Sequence, residues 1–221
     1  MSAIRLGTRA STLATTQSEM VARLLRSEGL DVDLTTITTH GDTSTASLAA
    51  MGGIGVFASA IRATLLKGEA DIAVHSFKDL PTGRPLGLAI GAVPARADPR
   101  DALVARDGLT LHDLPQEASV GTGSPRRAAQ LLAVRPDLTI VDIRGNVDTR
   151  LGRVKGLGHY AKGGGKEDLD AVVLAASGLA RLGHSGTVTE FLDPSVVLPA
   201  PAQGALAVEC RTADSRHGKL A

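Results

Sequence analysis

Short apolar runs alternate with stretches of helical period along most of this chain. "IRLGT" (Ile4 to Thr8) has a strand pattern, and Ser11 can then cap a helix whose apolar positions Leu13, Val21, Leu24 and Leu25 fall near helical spacing and stop before Gly29. Further strands are expected at "DLTTIT", "DIAV", "LAIGAV", "SVGT", "LTIVDI", "DAVVLAA" and "ALAVEC", and further helices at "VFASAIRATLL" and "PRRAAQLLA". Strands this apolar are usually covered by helices on both faces. The expected fold class is therefore α/β with mostly parallel sheets, in which ligands bind beyond the carboxyl ends of the strands. Loops that follow strands become the places to search.

Two Pro-rich stretches interrupt the alternation, "VPARADPRD" (Val93 to Asp101) and "LDPSVVLPAPAQG" (Leu192 to Gly204). They read as crossings that bound an inserted domain. The expected division is 1–95 plus 196–213 for one domain and 96–195 for the other. "GHYAKGGGKED" (Gly158 to Asp168) reads as a flexible surface insertion.

Composition narrows the function. The 221 residues carry 24 Lys plus Arg against 23 Asp plus Glu, so no whole-chain field favours nucleic acid or a membrane, and any basic site must be local. Four aromatics (Phe57, Phe77, Tyr160, Phe191) leave little for bases to stack on, which argues against a nucleic-acid partner. No window approaches the about 18 apolar residues of a membrane span, and the first residues lack a signal-peptide core, so a cytoplasmic location is expected. The single Cys210 excludes an internal disulfide, and six histidines without ligand spacing give no reason to expect a metal.

The local basic site is found between Gly121 and Lys155, where seven basic residues face three acids and arginine dominates, as suits bidentate recognition of carboxylate or phosphate. Within it, "GTGSPRR" (Gly121 to Arg127) runs from a strand end to a helix start. Ser124 is a good cap and Pro125 a good first residue there, and unpaired N–H groups favour an anion. Arg126 and Arg127 oppose the helix dipole in that first turn, so they answer either to a ligand or simply to solvent. "IRGNVDTRL" (Ile143 to Leu151) repeats the arrangement with Arg144, Gly145, Asn146 and Arg150, and "GTRAS" (Gly7 to Ser11) repeats it with Arg9 and Ser11. Three such loops imply a polyanionic ligand. "GGGK" at Gly163 is not a P-loop, because the upstream glycine is missing and Glu167 follows Lys166. In "HSFKDLPT" (His75 to Thr82), Asp79 follows the "DIAV" strand, and local sequence leaves open whether it forms a turn or does chemistry.

The motifs "GTRAS", "GDTS", "GVF", "HSFKDLPT", "ADPRD", "GTGSPRR", "IRGNVDTR", "LAASGLARLG" and "PAPAQGALAVECR" stand in the order, and near the spacing, of the porphobilinogen deaminase (hydroxymethylbilane synthase) family. The chain resembles that family over essentially its whole length. The resemblance implies two type II periplasmic-binding-protein-like α/β domains joined by two crossing segments, plus a third small domain. It implies a monomeric transferase that joins four porphobilinogen molecules into hydroxymethylbilane, releasing ammonia, for tetrapyrrole and haem synthesis. It also implies that Asp79 is the catalytic carboxylate and that Arg126, Arg127, Arg144 and Arg150 bind carboxylates of substrate and growing chain. Arg9, Ser11, Ser76, Lys78, Thr122, Ser124, Gly145, Asn146 and Gln203 would complete the cleft. The alternative is a non-catalytic anion-binding module of the same fold.

Two departures from the family pattern stand out. Many members carry lysines in the loop after "GDT", where this chain has Ala50, Ile54 and Ser59. The family also builds its product on a dipyrromethane cofactor held by a cysteine of the third domain, and this sequence ends at Ala221 before such a domain begins. Cys210 alternates with Leu206 and Val208 and reads as a strand residue rather than that attachment point. The expectation is a chain without covalent cofactor, inactive or impaired by itself.

Overall fold

The computed structural model describes residues 2–37, 58–83 and 85–212. The expectations for "GDTS", "GVF", Ala50 and Ile54 lie outside them. The chain forms two compact units, Met1–Ala97 with Ala205–Ala221, and Asp98–Gly204.

The first unit contains β1 (Ile4–Arg9), α1 (Thr12–Ser27), β2 (Val32–Ile37), α2 (Ala58–Leu66), β3 (Ile72–Ser76), β4 (Leu88–Ala92) and, from the far end of the chain, β10 (Leu206–Arg211). Ser11 caps α1 by accepting from the N–H of Ala14. The strand order is β2-β1-β3-β10-β4. β1 runs parallel to β2 and β3, whereas β10 is antiparallel to both β3 and β4.

The second unit contains β5 (Asp101–Ala105), β6 (Ser119–Gly121), α3 (Pro125–Val134), β7 (Thr139–Val141), α4 (Val147–Leu151), β8 (Ala171–Ala175), α5 (Ala176–Arg181) and β9 (Glu190–Phe191). Its order, β7-β6-β8-β5-β9, repeats the first pattern, with β6 parallel to β7 and β8, and β5 antiparallel to β8 and β9. Parallel pairing therefore does not predominate, and the expectation of mostly parallel sheets is corrected to mixed ones. In each sheet the antiparallel strand between the parallel trio and the edge follows one of the two crossings. Such a strand needs no right-handed helical crossover to reach its place and is free to run either way.

Alternation along the central strands feeds two cores per sheet. Leu103, Ala105, Ala171 and Val173 pack on one face of the second sheet, and Ala102, Val104, Val172 and Leu174 on the other. In the first sheet Ile72, Val74, Leu206 and Val208 face the α1 side with Val21 and Ala22, while Ala73 lies on the α2 side with Ile61 and Leu65. Each fully buried leucine or isoleucine contributes about 2 to 3 kcal/mol of transfer free energy.

Two expectations change. The stretch from 196 to 204 belongs to the second unit, because Val197 is buried in that core and Gln203 donates to the carbonyl of Pro99. The presumed flexible insertion at 158–168 is tied down instead: Gly165 N–H donates to Gly158 O, Glu167 accepts from the N–H groups of Gly156 and Gly158, and Tyr160 packs on the core.

At the amino end of β3, buried Asp71 accepts from the backbone N–H and both Nε and Nη2 of Arg5, and from Nη2 of Arg211. Burial alone would raise its pKa, but the Arg5 hydrogen bonds and charge more than offset that and bring it from 3.8 to about 2. A carboxyl lowered in the folded state stabilises above its unfolded value and loses that contribution as pH falls through the folded one. Urea unfolding should therefore show about 2 kcal/mol of stability lost between pH 5 and pH 2 from this group, and Asp71→Asn should be less stable at pH 7 by a similar amount with a flatter acid dependence.

Candidate active site

In the first unit, β1 and β3 are parallel neighbours, with Leu6 beside Ile72 and Gly7 beside Ala73. Their following loops therefore leave the same sheet edge, bringing "GTRAS" and "HSFKD" together. Gln17 of α1 confirms the proximity: its amide exchanges hydrogen bonds with the Ser76 hydroxyl at 3.0 and 3.1 Å. Gln17 carries no signal of its own in the sequence, since it sits within the polar run "TTQSE" and becomes recognisable only once the strands are aligned.

Asp79 ends a 3-10 turn, Phe77–Asp79. The turn is pinned at both ends, by Phe77 N–H to Ala205 O and Leu80 N–H to Phe77 O, each 3.1 Å, and by burial of the Leu80 side chain with Ala58 and Ala207. Lys78 and Asp79 stay exposed. Desolvation by the surrounding protein raises the pKa of Asp79, while the charges of Lys78, Arg9 and His75 act to lower it. Solvent access and desolvation coexist because an open path to water does not remove the low-dielectric mass around the carboxylate.

Behind this turn lies a polar cluster that the sequence did not announce. Alternation places His75 and Glu209 on the α2 face, where Glu209 is fully buried. Arg62 of α2 donates through Nε to both Glu209 oxygens at 3.0 and 3.1 Å, and His75 Nε2 lies 3.2 Å from Oε2. Burial pushes the Glu209 carboxyl up, but His75 and Arg62 outweigh it and leave the pKa lowered.

In the second unit, β6 and β7 are parallel neighbours, so "GTGSPRR" and "IRGNVDTR" also leave one sheet edge. Gly123 is required there, since a Cβ would meet the Ile143 carbonyl oxygen at 2.7 Å. Gly145 is required for another reason, its φ of +99°. Ser124 caps α3 by accepting from Arg127 N–H, and Thr122 Oγ1 accepts from Ser124 N–H at 3.2 Å. Asn146 caps α4 by accepting from Thr149 N–H at 2.8 Å.

The arginines expected to meet a ligand differ in their surroundings. Arg127 is buried, with one Nη on Asp101 Oδ1 at 2.7 Å, the other on Val173 O at 3.1 Å, and Nε without a hydrogen-bond partner among the described residues. Arg126 is part-exposed and reaches Asp101 Oδ2 at 2.7 Å and Leu198 O. Gln203 is buried, with its amide on Asp101 Oδ1 at 2.7 Å. Arg150 donates to Gly145 O at 2.9 Å. Burial first, then the charges of Arg127 and Arg144, hold Arg150 below its ordinary pKa, with Asp142 acting the other way. This is a concentration of positive charge that an anion would relieve.

The chain matches the family model "Porphobilinogen deaminase, dipyromethane cofactor binding domain" over residues 4–219. It is 97% identical over 221 residues to the porphobilinogen deaminase of Cutibacterium acnes, covering 100% of this chain and 66% of that one. It is 59% identical to the porphobilinogen deaminase of Micrococcus luteus, covering 97% of this chain and 59% of that one. It thus spans less than two thirds of the length of these curated relatives, 66% of one and 59% of the other. Among solved structures, a periplasmic substrate-binding protein of an ABC transporter from Coxiella burnetii superposes with a TM-score of 0.56 at 17% identity, covering 98% of this chain and 89% of that one. A nutrient binding protein from Burkholderia cenocepacia bound to methionine superposes with a TM-score of 0.56 at 14% identity, with the same coverages of 98% and 89%. These likenesses establish a periplasmic-binding-protein-like fold of type II.

Neutralising Glu209 leaves the Arg62 guanidinium in a buried site without its counter-charge, and His75 without the carboxylate it faces. Glu209→Gln should lower stability by about 3 kcal/mol in chemical denaturation, and backbone amides of the Phe77–Asp79 turn should exchange faster with deuterium than in the unmodified chain.

Proposed function

Since this chain belongs to the porphobilinogen deaminase family, we propose that it carries the reactive carboxylate and the carboxylate-binding arginines of a transferase that joins four porphobilinogen molecules into hydroxymethylbilane in the cytoplasm. At each step the bond between the aminomethyl carbon and nitrogen of one pyrrole breaks and ammonia departs. A carbon–carbon bond then forms to the free α-carbon of the next pyrrole, which gives up a proton.

The observation that carries this reading is Asp79: a solvent-accessible acid on a rigid turn, among Arg9, Lys78 and His75, in register with the family's "HSFKD" motif. A receptor for anions has no use for a carboxylate in that position. Here it is assigned to the substrate pyrrole N–H, where its charge stabilises the positive charge that develops as ammonia leaves. Because the turn is fixed beforehand by Phe77, Leu80 and Ala205, little reorganisation is needed at the moment of reaction. The same carboxylate is suited to take the proton released when the next ring attacks.

Arg126, Arg144 and Arg150, with the loop of Thr122, Ser124, Gly145 and Asn146, are assigned to the acetate and propionate groups. The family's dipyrromethane cofactor fits the same donor set, since it carries the same carboxylates, and the unpartnered Arg127 Nε together with the mutual repulsion around Arg150 supports a cationic capacity not consumed internally. When bound, that group supplies the pyrrole on which the product is built. Arg9, Ser11, Ser76 and Lys78 are assigned to the substrate side of the Asp79 loop, and Gln203 to the support of the arginines.

The test is ammonia release and product formation from porphobilinogen by this chain and by a version extended with the remaining part of the Cutibacterium acnes relative. Asp79→Asn in the extended protein should lower kcat by about a hundredfold or more, and near-normal turnover would refute the assignment. The reactive form is the carboxylate, so activity should fall as pH drops through a pKa above 3.8, the ordinary value for this group, and a kcat/KM profile checks that direction.

A further inference from the structure

Arg126 and Arg127 leave the first turn of α3, where the helix dipole disfavours cations and nothing in the helix itself directs their guanidinium groups. Their direction comes from Asp101, the first residue of β5, which has no accessible surface. Its Oδ1 accepts from Arg127 and from Gln203, and its Oδ2 from Arg126, all at 2.7 Å. The same Gln203 amide also donates to Pro99 O at 2.8 Å. One carboxylate, itself at the end of the first crossing, thus joins the arginine loop to Gln203 in the second.

We propose that Asp101 is a positioning residue for carboxylate recognition: it fixes the Arg126 and Arg127 guanidinium groups so that donors of Arg126 which it does not use are held ready for a substrate carboxylate. This rests on the reading of the second unit as the carboxylate-binding part. A guanidinium has five N–H donors in a fixed plane, so anchoring one edge orients the rest. Arg126 spends donors on Asp101 and on Leu198 O, and its side chain keeps 27% of its accessible surface. Arg127, with 8%, is the strut against which Asp101 is held. The two adjacent arginines therefore have different tasks: Arg126 presents donors, and Arg127 supports the acid that aims them.

Asp101→Asn keeps the shape and removes the charge, and three possible roles differ in sign. A positioning role predicts that KM for porphobilinogen in the extended protein rises about tenfold while kcat stays within about threefold. A simple counter-ion role predicts a lower KM, since losing the carboxylate leaves the arginines' positive charge uncompensated and available to an anion. A purely structural role predicts a lower melting temperature with KM unchanged well below it. Either of the last two results overturns the proposal. Gln203→Met leaves the charge of Asp101 in place and removes the amide hydrogen bonds to Asp101 and to Pro99 O, so it decides alone if the first variant fails to fold: a KM rise of about threefold supports the proposal, and an unchanged KM overturns it. Calorimetry with glutarate separates the two readings. If the extended protein without substitutions binds glutarate but releases no ammonia from porphobilinogen, the catalytic reading fails and Asp101 is judged by glutarate affinity in the same variants. If it binds neither, both fall.

Discussion

Asp101 begins β5 with no exposure to solvent, so its charge has to be answered inside the protein, and the answer organises the second unit. Arg127 is drawn into the core, Arg126 is held at the edge, and Gln203 is locked against Pro99. An isolated carboxylate in such surroundings would be protonated. Here burial pushes the pKa of Asp101 up, but Arg127, Arg126 and Gln203 more than compensate and leave it lowered. The start of α3, the head of β5 and the end of the second crossing are thereby fixed by one group.

The first unit solves a similar problem with Glu209. Both acids lie on strands that enter their sheets antiparallel after a crossing, and both are met by arginine from a neighbouring helix. In each unit a charge is thus spent beneath the loop that carries the candidate chemistry. Removing such an acid leaves its partners buried and unanswered, which costs more than the pair contributes when intact.

Much of this is legible in the sequence. The β1–α1 unit is marked by a strand pattern, a Ser cap and a Gly stop. The three arginine loops are marked by glycines and caps at strand ends, and Asp79 by its place after "DIAV". Ser124 is legible as a cap, a role its hydrogen bond to Arg127 N–H bears out, whereas the capping of Thr149 N–H by Asn146 is seen only in the structure. The direction of β10 and β5 is not legible, because pairing direction depends on neighbours distant in sequence. β5 merges with a Pro-rich crossing in the sequence pattern because "DALVA" is buried at every position and shows no alternation. Five-residue α4 is too short to show a period. Asp101, Gln17 and Glu209 escape notice because an acid or amide at a polar position reads as solvent-facing until the helix that covers it is known.

Strand β10 lies between β3 and β4, so the sheet built from residues 4 to 92 closes only with residues 206 to 211. The second unit, by contrast, is one continuous stretch, Asp98–Gly204. During synthesis that stretch has all its strands in hand while the first sheet still lacks an inner member, and β4 has no partner until β10 emerges. The last strand of the first unit is therefore also the step that completes it, and the intervening unit serves as the loop whose ends β10 must bring together. A chain shortened before Leu206 would lose the middle of its first sheet rather than an edge.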